Sequence, residues 1–592
     1  MKRRSIHAGG FAVIMICKRS ICIGVLSLLA APALLSAQTP AQPEAATGFE
    51  PRPAVHAPHA MVVTANPHAT EAALGILRAG GTAADAAIAA ALVLNVVEPQ
   101  SSGLGGGGFV LHFDAAQKKI VAWDGRETAP RAVDASLFLD EAGKPMRFHA
   151  AAVGGRSVGV PGLPMLLAEV HRQHGRLPWA RLFEPAIRLA DEGFAVSPRL
   201  HSLIEGDRFL ADDAAAKALF FDVDGAPLTV GARLRNPALA DVMRVLAKEG
   251  GEAFYEGEIA ADIVAAVGAG ANPGSLSRED FAAYRVIGRE AVCGPYRGWR
   301  VCGMPPPSSG GATVLAMLGL LSRFPLAEID PESAFATHLF AEAGRLAFAD
   351  RDAWYGDPVA MPLAPERLLA PAYLARRAAL ISLDTSLGRA QPGEPSSQIG
   401  AVSATTPERP STTHVSIVDA DGNAVSMTAS IEDAFGSRRM VRGMLLNNQL
   451  TDFSFAPRDA RGLHPNRVGP GKRPRSSMAP TLVFAPDGRL HAVLGSPGGS
   501  AIINYVAAAI TGLIDWGMAP DAVLARPHAA SRNGPTEVER RPDGEALAAR
   551  LALFGHETVV RELTSGTSLV LRSGAGWAGA ADPRREGMAA GF

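Results

Sequence analysis

Ser411, Thr412, Thr413 and His414 stand in a row at the start of the stretch RPSTTHVSIVDADGNAVSM, and all four carry groups that could take part in attack on a carbonyl. A threonine hydroxyl is a poor nucleophile without a base, and no aspartate and histidine in the sequence obviously combine to supply one. If the chain is cut before Thr412, the freed α-amine, with a pKa of about 8, becomes that base. The preceding residues suit such a cut. Residues 385–411, TSLGRAQPGEPSSQIGAVSATTPERPS, are polar, Pro-rich and without periodicity, the composition of an exposed, cleavable linker.

Positioning the hydroxyl requires a hairpin. The apolar-rich runs THVSIV and NAVSMTAS flank the turn signal DADG. Centring the loop on Asp421 pairs Val418 with Ala424 and, at the open end, Thr412 with Ser430, so that two hydroxyls meet where the linker enters. Around this hairpin the chain alternates helices and strands. Residues 68–98 are Ala-rich with helical spacing and a break at Gly80-Gly81, which predicts two packed helices. Strands follow in GFVLHF and KIVAWD, then helix over 161–193, and later the strands TLVFA and LHAVLGS with a helix from about Ser500 to Ile514.

Composition restricts the partners. The 592 residues are 47% apolar and 19% charged, with a formal net charge of -1. No basic field exists to collect nucleic acid or anionic lipid, and a small neutral or zwitterionic ligand fits better. Lys18 and Arg19 precede the apolar run ICIGVLSLLAAPALL and then SAQTP, the pattern of a secretory signal over residues 1–37 with cleavage after Ala37. A membrane anchor is the alternative, weakened by Pro32 and by a run shorter than the about 20 residues of a span. No span is expected in the mature protein, which is placed in the periplasm or secreted.

Cys17 and Cys22 would leave with the signal. Cys293 and Cys302, in AVCGPYRGWRVCGM, face one another if the chain turns at Arg297-Gly298, and could form a disulfide; the alternative is two buried free thiols. No His or Cys cluster has metal-ligand spacing, so neither metal nor organic cofactor is expected. GLGGGG, Gly103 to Gly108, formally satisfies a dinucleotide-binding pattern, yet that pattern needs a strand before it and a helix after it. Here the order is reversed, and a loop whose backbone packs closely against something is the better reading.

Five motifs in order, MPPPSSGG, TTHVSIVDADGNAVSMT, LLNNQLTDFS, KRPRSSMAPT and GSPGGS, together resemble the γ-glutamyltransferase family of N-terminal nucleophile hydrolases. The likeness runs over nearly the whole mature chain. It implies an α+β fold, a four-layer αββα sandwich of two antiparallel sheets covered by helices. It also implies self-cleavage of the Ser411–Thr412 bond, giving a large subunit, 38–411, and a small one, 412–592, intertwined in one domain. Thr412 then matches the nucleophile that forms a γ-glutamyl acyl-enzyme, Ser430 a family Thr that hydrogen-bonds it and assists processing, and Gly498 and Gly499 the oxyanion hole. Arg126, Ser476 and Ser477 match groups that hold the donor's α-carboxylate, and Glu432, Gln449 and Asp452 those that hold its α-ammonium. The implied partners are γ-glutamyl donors such as glutathione, with amino acids, peptides or water as acceptors.

The sequence departs from the family at two places. Members with a full lid carry a tyrosine that closes the pocket, and none occurs between Asp452 and Ser476; Ser437, Arg438 and Arg439 replace a common Gly-Thr-Gly. A relative acting as a cephalosporin or glutaryl acylase, with the same Thr412, is the alternative function, and a secreted, unprocessed, non-catalytic binding protein a second.

Overall fold

The computed structural model describes residues 47–395, 411–459 and 462–592. The expected signal segment, with Cys17 and Cys22, and most of the expected linker lie outside the described residues. Fourteen strands form two antiparallel sheets. In chain order they are β1 (Val55–Ala57), β2 (Met61–Thr64), β3 (Gly107–Asp114), β4 (Lys119–Gly125), β5 (Ile287–Arg289), β6 (Val292–Tyr296), β7 (Trp299–Gly303), β8 (Thr412–Val418), β9 (Ala424–Ser430), β10 (Thr481–Phe484), β11 (Leu490–Gly495), β12 (Ser568–Ser573), β13 (Gly576–Ala581) and β14 (Met588–Gly591). One sheet runs β14-β2-β8-β9-β3-β4-β5 and the other β1-β13-β12-β11-β10-β7-β6.

Side chains on a strand alternate between faces, and the two cores follow that alternation. Val415 and Ile417 of β8, with Val425, Met427 and Ala429 of β9, join a core shared with helices α1 (Pro67–Arg78), α2 (Ala83–Val97) and α3 (Leu163–His174). Val418 and Ala424 point the other way, into a core shared with β10–β12 and helices α4 (Gly310–Leu321), α5 (Ala334–Trp354) and α6 (Ile502–Ile514). The layers are therefore helix, sheet, sheet, helix, an αββα sandwich. The face carrying Val418 also carries Thr412, His414 and Ser416, so the nucleophile candidate lies between the sheets.

The β8–β9 hairpin has the expected register, Thr412 opposite Ser430 and Val418 opposite Ala424. Asp419 organises its turn: its carboxylate accepts from the backbone N–H groups of Asp421 (3.0 Å) and Asn423 (2.9 Å), and Gly422 supplies the φ of +84°. The same carboxylate accepts from Ala83 N (2.9 Å), docking the hairpin tip on the start of α2. Two helices replace the continuous helix expected over 161–193. Gly175 and Pro178 end α3, and a 3-10 turn, Trp179–Phe183, leads into a helix at Glu184–Glu192. Cys293 and Cys302 are paired across β6 and β7 and joined by a disulfide at the edge of the second sheet.

Candidate active site

At the open end of the hairpin the hydroxyl of Ser430 is fully engaged. Its proton goes to the carbonyl oxygen of Ser411 (2.6 Å), while it accepts from Thr412 Oγ1 (3.3 Å) and from the backbone N–H of Glu432 (2.9 Å). The carbonyl that Ser430 polarises belongs to the Ser411–Thr412 peptide bond. Gly105 and Gly106 press against this end: a Cβ on Gly106 would lie 2.2 Å from Ser430 O, and one on Gly105 2.1 Å from Leu445 O. The glycine run is thus a close-approach loop, as its order in the sequence suggested.

Below the hydroxyl pair, a polar seam crosses between the sheets. His414 Nδ1 accepts from Thr428 (2.8 Å) and Nε2 donates to Ser416 (3.1 Å), whose hydroxyl donates to Ser568 O on β12 (3.0 Å). Burial pushes the imidazole down to about 3, so it stays neutral and serves as a fixed spacer. A Cβ at Gly495 would strike this ring.

Arg126, Thr412, Ser430, Glu432, Gln449, Asp452, Ser476, Ser477 and Gly499 line one cleft, joined by Met478 and Ile502. Gly498 lies just outside its wall, with φ of +132° followed by +56° at Gly499, leading into α6. The two glycines accomplish a turn that L side chains rarely adopt. Ser411 is adjacent through Thr412, whereas the cysteine pair belongs to a sheet edge.

Arg126 follows β4 and is fully buried. Asp124 Oδ1 accepts from its backbone N–H (2.9 Å), and Tyr284 donates to its carbonyl oxygen (2.9 Å). The guanidinium donates to Pro474 O (3.2 Å), to Arg475 O (3.0 Å) and to Asp452. The 3-10 turn Gln449–Asp452 brings Gln449 onto the same carboxylate (2.8 Å). Arg126 Nη1 and Gln449 Oε1 are buried and make no hydrogen bond among the described residues, and Nη1 stands 3.8 Å from Glu127 Oε2. Glu432 holds a left-handed φ of +82°, kept in place by its amide's bond to Ser430 and by the Asn448 side chain, which donates to its carboxylate.

Glu127 lies behind Arg126, with both carboxyl oxygens buried and without a hydrogen-bond donor among the described residues. Burial pushes it up to about 8, although the Arg126 guanidinium opposes the shift. A carboxyl raised in the folded state is neutral there while the unfolded chain ionises it. Its contribution is therefore intact below about pH 4.5 and lost as pH rises towards 8. Glu127→Gln should nearly match the parent in stability at pH 4.5 and exceed it by about 3–4 kcal/mol at pH 7.5. Thermal unfolding at both pH values checks this; a difference independent of pH would contradict it.

Several residues that build the site were not singled out from the sequence. Asp124, Tyr284 and Glu127 position Arg126, and Arg473 pairs with Asp124 (2.5 Å). Only Asp124 and Glu127 carried a signal, as neighbours within WDGRETAP. The arginines that depart from the family pattern do not line the cleft: Arg438 pairs with Asp207 (2.7 Å) and Asp433 (2.8 Å), tying the loop after β9 to the earlier part of the chain. Among the described residues, none from Phe453 to Arg475 lines the cleft either. His338, Glu342 and His556 converge without having stood out in the sequence. Their polar atoms are committed: His338 Nε2 donates to Ser382 O (2.8 Å), His556 Nε2 to His338 Nδ1 (2.7 Å), and Thr536 to His556 Nδ1 (2.8 Å). With Arg345 against Glu342 (2.9 Å), this is a hydrogen-bonded clamp. A larger cavity beside Tyr505, Trp516 and His528 is separate from Thr412.

The sequence pattern of the gamma-glutamyltranspeptidase family matches residues 69–592. A glutathione hydrolase proenzyme of Bacillus subtilis (strain 168) is 38% identical over 479 residues, covering 79% of this chain and 80% of that one. Acylase ACY 1 proenzyme of Pseudomonas sp. (strain SE83) is 36% identical over 509 residues, 84% of this chain and 87% of that one. Among solved structures, cephalosporin acylase from Bacillus halodurans superposes with a TM-score of 0.80 at 30% identity, over 93% of this chain and 99% of that one.

Proposed function

The chain belongs to the gamma-glutamyltranspeptidase family, and on that premise we propose that it is a self-processing γ-glutamyltransferase and glutathione hydrolase using Thr412 as nucleophile. The observation that carries the reading is the one cleft that Arg126, Ser476, Ser477, Glu432, Gln449 and Asp452 share with the Thr412–Ser430 hydroxyl pair. The guanidinium and the serine hydroxyls suit a carboxylate, and the acceptors of Glu432, Gln449 and Asp452 an ammonium. A γ-glutamyl group ends in that zwitterion.

In the precursor, Ser430 polarises the Ser411 carbonyl while Thr412 Oγ attacks it; the acyl group passes from the Thr412 nitrogen to Oγ, which frees the α-amine with the hydroxyl's proton. Water then hydrolyses the Ser411 ester, releasing the Ser411 carboxylate and restoring the Thr412 hydroxyl. That amine takes the hydroxyl proton as Oγ attacks the γ-carbonyl of the donor, and returns it to the leaving amine; backbone N–H groups at Gly498 and Gly499 hold the oxyanion. Water or an amino acid then attacks the acyl-enzyme by the reverse path. Export is part of the proposal. The leader-like N-terminus supports it, as does the disulfide, a bond kept in oxidising compartments. No helix among the described residues is long and apolar enough to cross a membrane.

A second reading, acylase action on glutaryl or cephalosporin-type amides, is favoured by the acylase relatives and by a cleft that none of the described residues of 453–475 lines. The two readings differ over the ammonium. Side-by-side assay of a γ-glutamyl anilide and a glutaryl anilide should give at least about tenfold higher kcat/KM for the former, since the glutaryl compound forgoes the ammonium's charge-assisted hydrogen bonds, worth about 1.5–3 kcal/mol. Preference for the glutaryl compound would make the enzyme an acylase.

A further inference from the structure

The residue before the scissile bond lends only its carbonyl to the chemistry above, yet its side chain is fixed as well. Ser411 is fully buried, and its Oγ donates to the backbone carbonyl oxygen of Gln100 (2.5 Å). Gln100 belongs to the turn that closes α2, where the backbone N–H of Ser101 donates to Glu98 O (2.9 Å). The same turn holds the other arm of the hairpin. The N–H of Phe435 donates to Gln100 O (3.1 Å), and that of Ile431 to Ser101 O (3.3 Å). One carbonyl therefore ties the residue before the scissile bond to the loop that follows Ser430.

We propose that the Ser411 side chain is a positioning residue for self-cleavage, holding the scissile carbonyl still while Thr412 Oγ attacks it. On the C-terminal side the bond is fixed by the β8–β9 ladder, which starts with Thr412 opposite Ser430. On the other side Ser411 is held twice, at its carbonyl oxygen by Ser430 and at its hydroxyl by Gln100. Two contacts fix where the carbonyl carbon sits, whereas one lets the residue swing about the Ser430 hydrogen bond. Attack on a carbonyl depends steeply on the approach of the oxygen, so losing the second contact slows the cut. The anchor is also built to be released. Gln100 O keeps the Phe435 N–H once the Ser411 contact breaks, so the cut leaves no buried carbonyl without a partner. After the cut Ser411 ends the large subunit, and its side chain has no step in turnover.

This inference rests on the proposed self-processing at Ser411–Thr412. Pulse-labelled full-length chains, chased and resolved on denaturing gels, give the cleavage rate, and an anilide assay normalised to cleaved chain gives turnover. Ser411→Ala should slow cleavage about two- to tenfold, the worth of one neutral hydrogen bond, with kcat and KM per cleaved chain within about 1.5-fold of the parent. Ser411→Cys is close to serine in size but a weak donor, and should be slowed like Ser411→Ala. Ser411→Thr keeps the hydroxyl and should cleave faster than both. A packing role gives the opposite order, because Cys fills the site and Thr overfills it. Slowing of Ser411→Ala by less than about twofold would overturn the proposal, as would Ser411→Cys at the parent rate or a loss of turnover per cleaved chain as large as the loss in cleavage. If Ser411→Ala does not fold, the other two variants carry the comparison: Thr faster than Cys supports the role, and Cys equal or faster refutes it. A parent that stays one chain would sink the self-processing reading together with this inference. A parent that cleaves no faster than Ser411→Ala would sink this inference alone.

Discussion

Thr412→Ala is expected to remain one chain where the parent yields two, and to lose at least about three orders of magnitude in turnover. Both effects arise from one oxygen atom. In the uncut chain Thr412 Oγ1 and Ser430 Oγ form a hydroxyl pair against the Ser411 carbonyl. With cleavage after Ala37 and before Thr412, the products hold 374 and 181 residues, roughly 39 and 19 kDa at the mean residue mass of the chain. Ser430→Ala should still process, more slowly, because the scissile carbonyl loses its polarising donor while the attacking oxygen remains. Denaturing gels over a time course, with an anilide assay on the same samples, decide the matter. Two bands from the Thr412→Ala protein would end the self-processing mechanism, and an active single-chain parent would point to a different nucleophile.

Arg126→Lys should lower kcat/KM for γ-glutamyl donors by about 10–150-fold, mostly through KM. The substitution keeps a positive charge but not a planar fork. Arg126 uses that fork to hold Pro474 O, Arg475 O and Asp452 at once. An ammonium group cannot occupy all these positions, so Asp452 and the donor's carboxylate would compete for one cation. Asp452 also accepts from Gln449, and a displaced Asp452 would weaken the amine end as well. Steady-state kinetics with a γ-glutamyl anilide provide the test; unchanged KM and kcat would remove Arg126 from the donor site.

Much of the nucleophile end was legible in the sequence because it is built from local pairing. A strand's period of two and a DADG turn are enough to place Thr412 opposite Ser430, and the structure has that register. The same reasoning paired Cys293 with Cys302. Helical runs were legible too, although Gly175 and Pro178 divide a segment that apolar periodicity alone had joined. The donor-site residues came from another kind of signal, the resemblance of short motifs to a family. Those motifs indicated which residues to examine, and left open what each side chain touches.

The chain by itself therefore determined the hairpin, its register, the hydroxyl pair and the family, all of which depend on neighbours in sequence or on local patterns. Tertiary structure decided the rest. Arg126 meets Asp452 across 326 positions, and Arg351 meets Ser477 across 126. No periodicity encodes such a contact, since it depends on how two sheets and their covering helices pack. Packing also determines the surroundings of each polar atom: Arg126 Nη1 is buried 3.8 Å from Glu127 Oε2, and Gln449 Oε1 is buried without a hydrogen bond among the described residues. Glu127 is an ordinary carboxylate in the unfolded chain, and burial behind Arg126 is what raises it to about 8. A residue's type is written in the sequence, whereas its hydrogen-bond partners and its solvent are supplied by the fold.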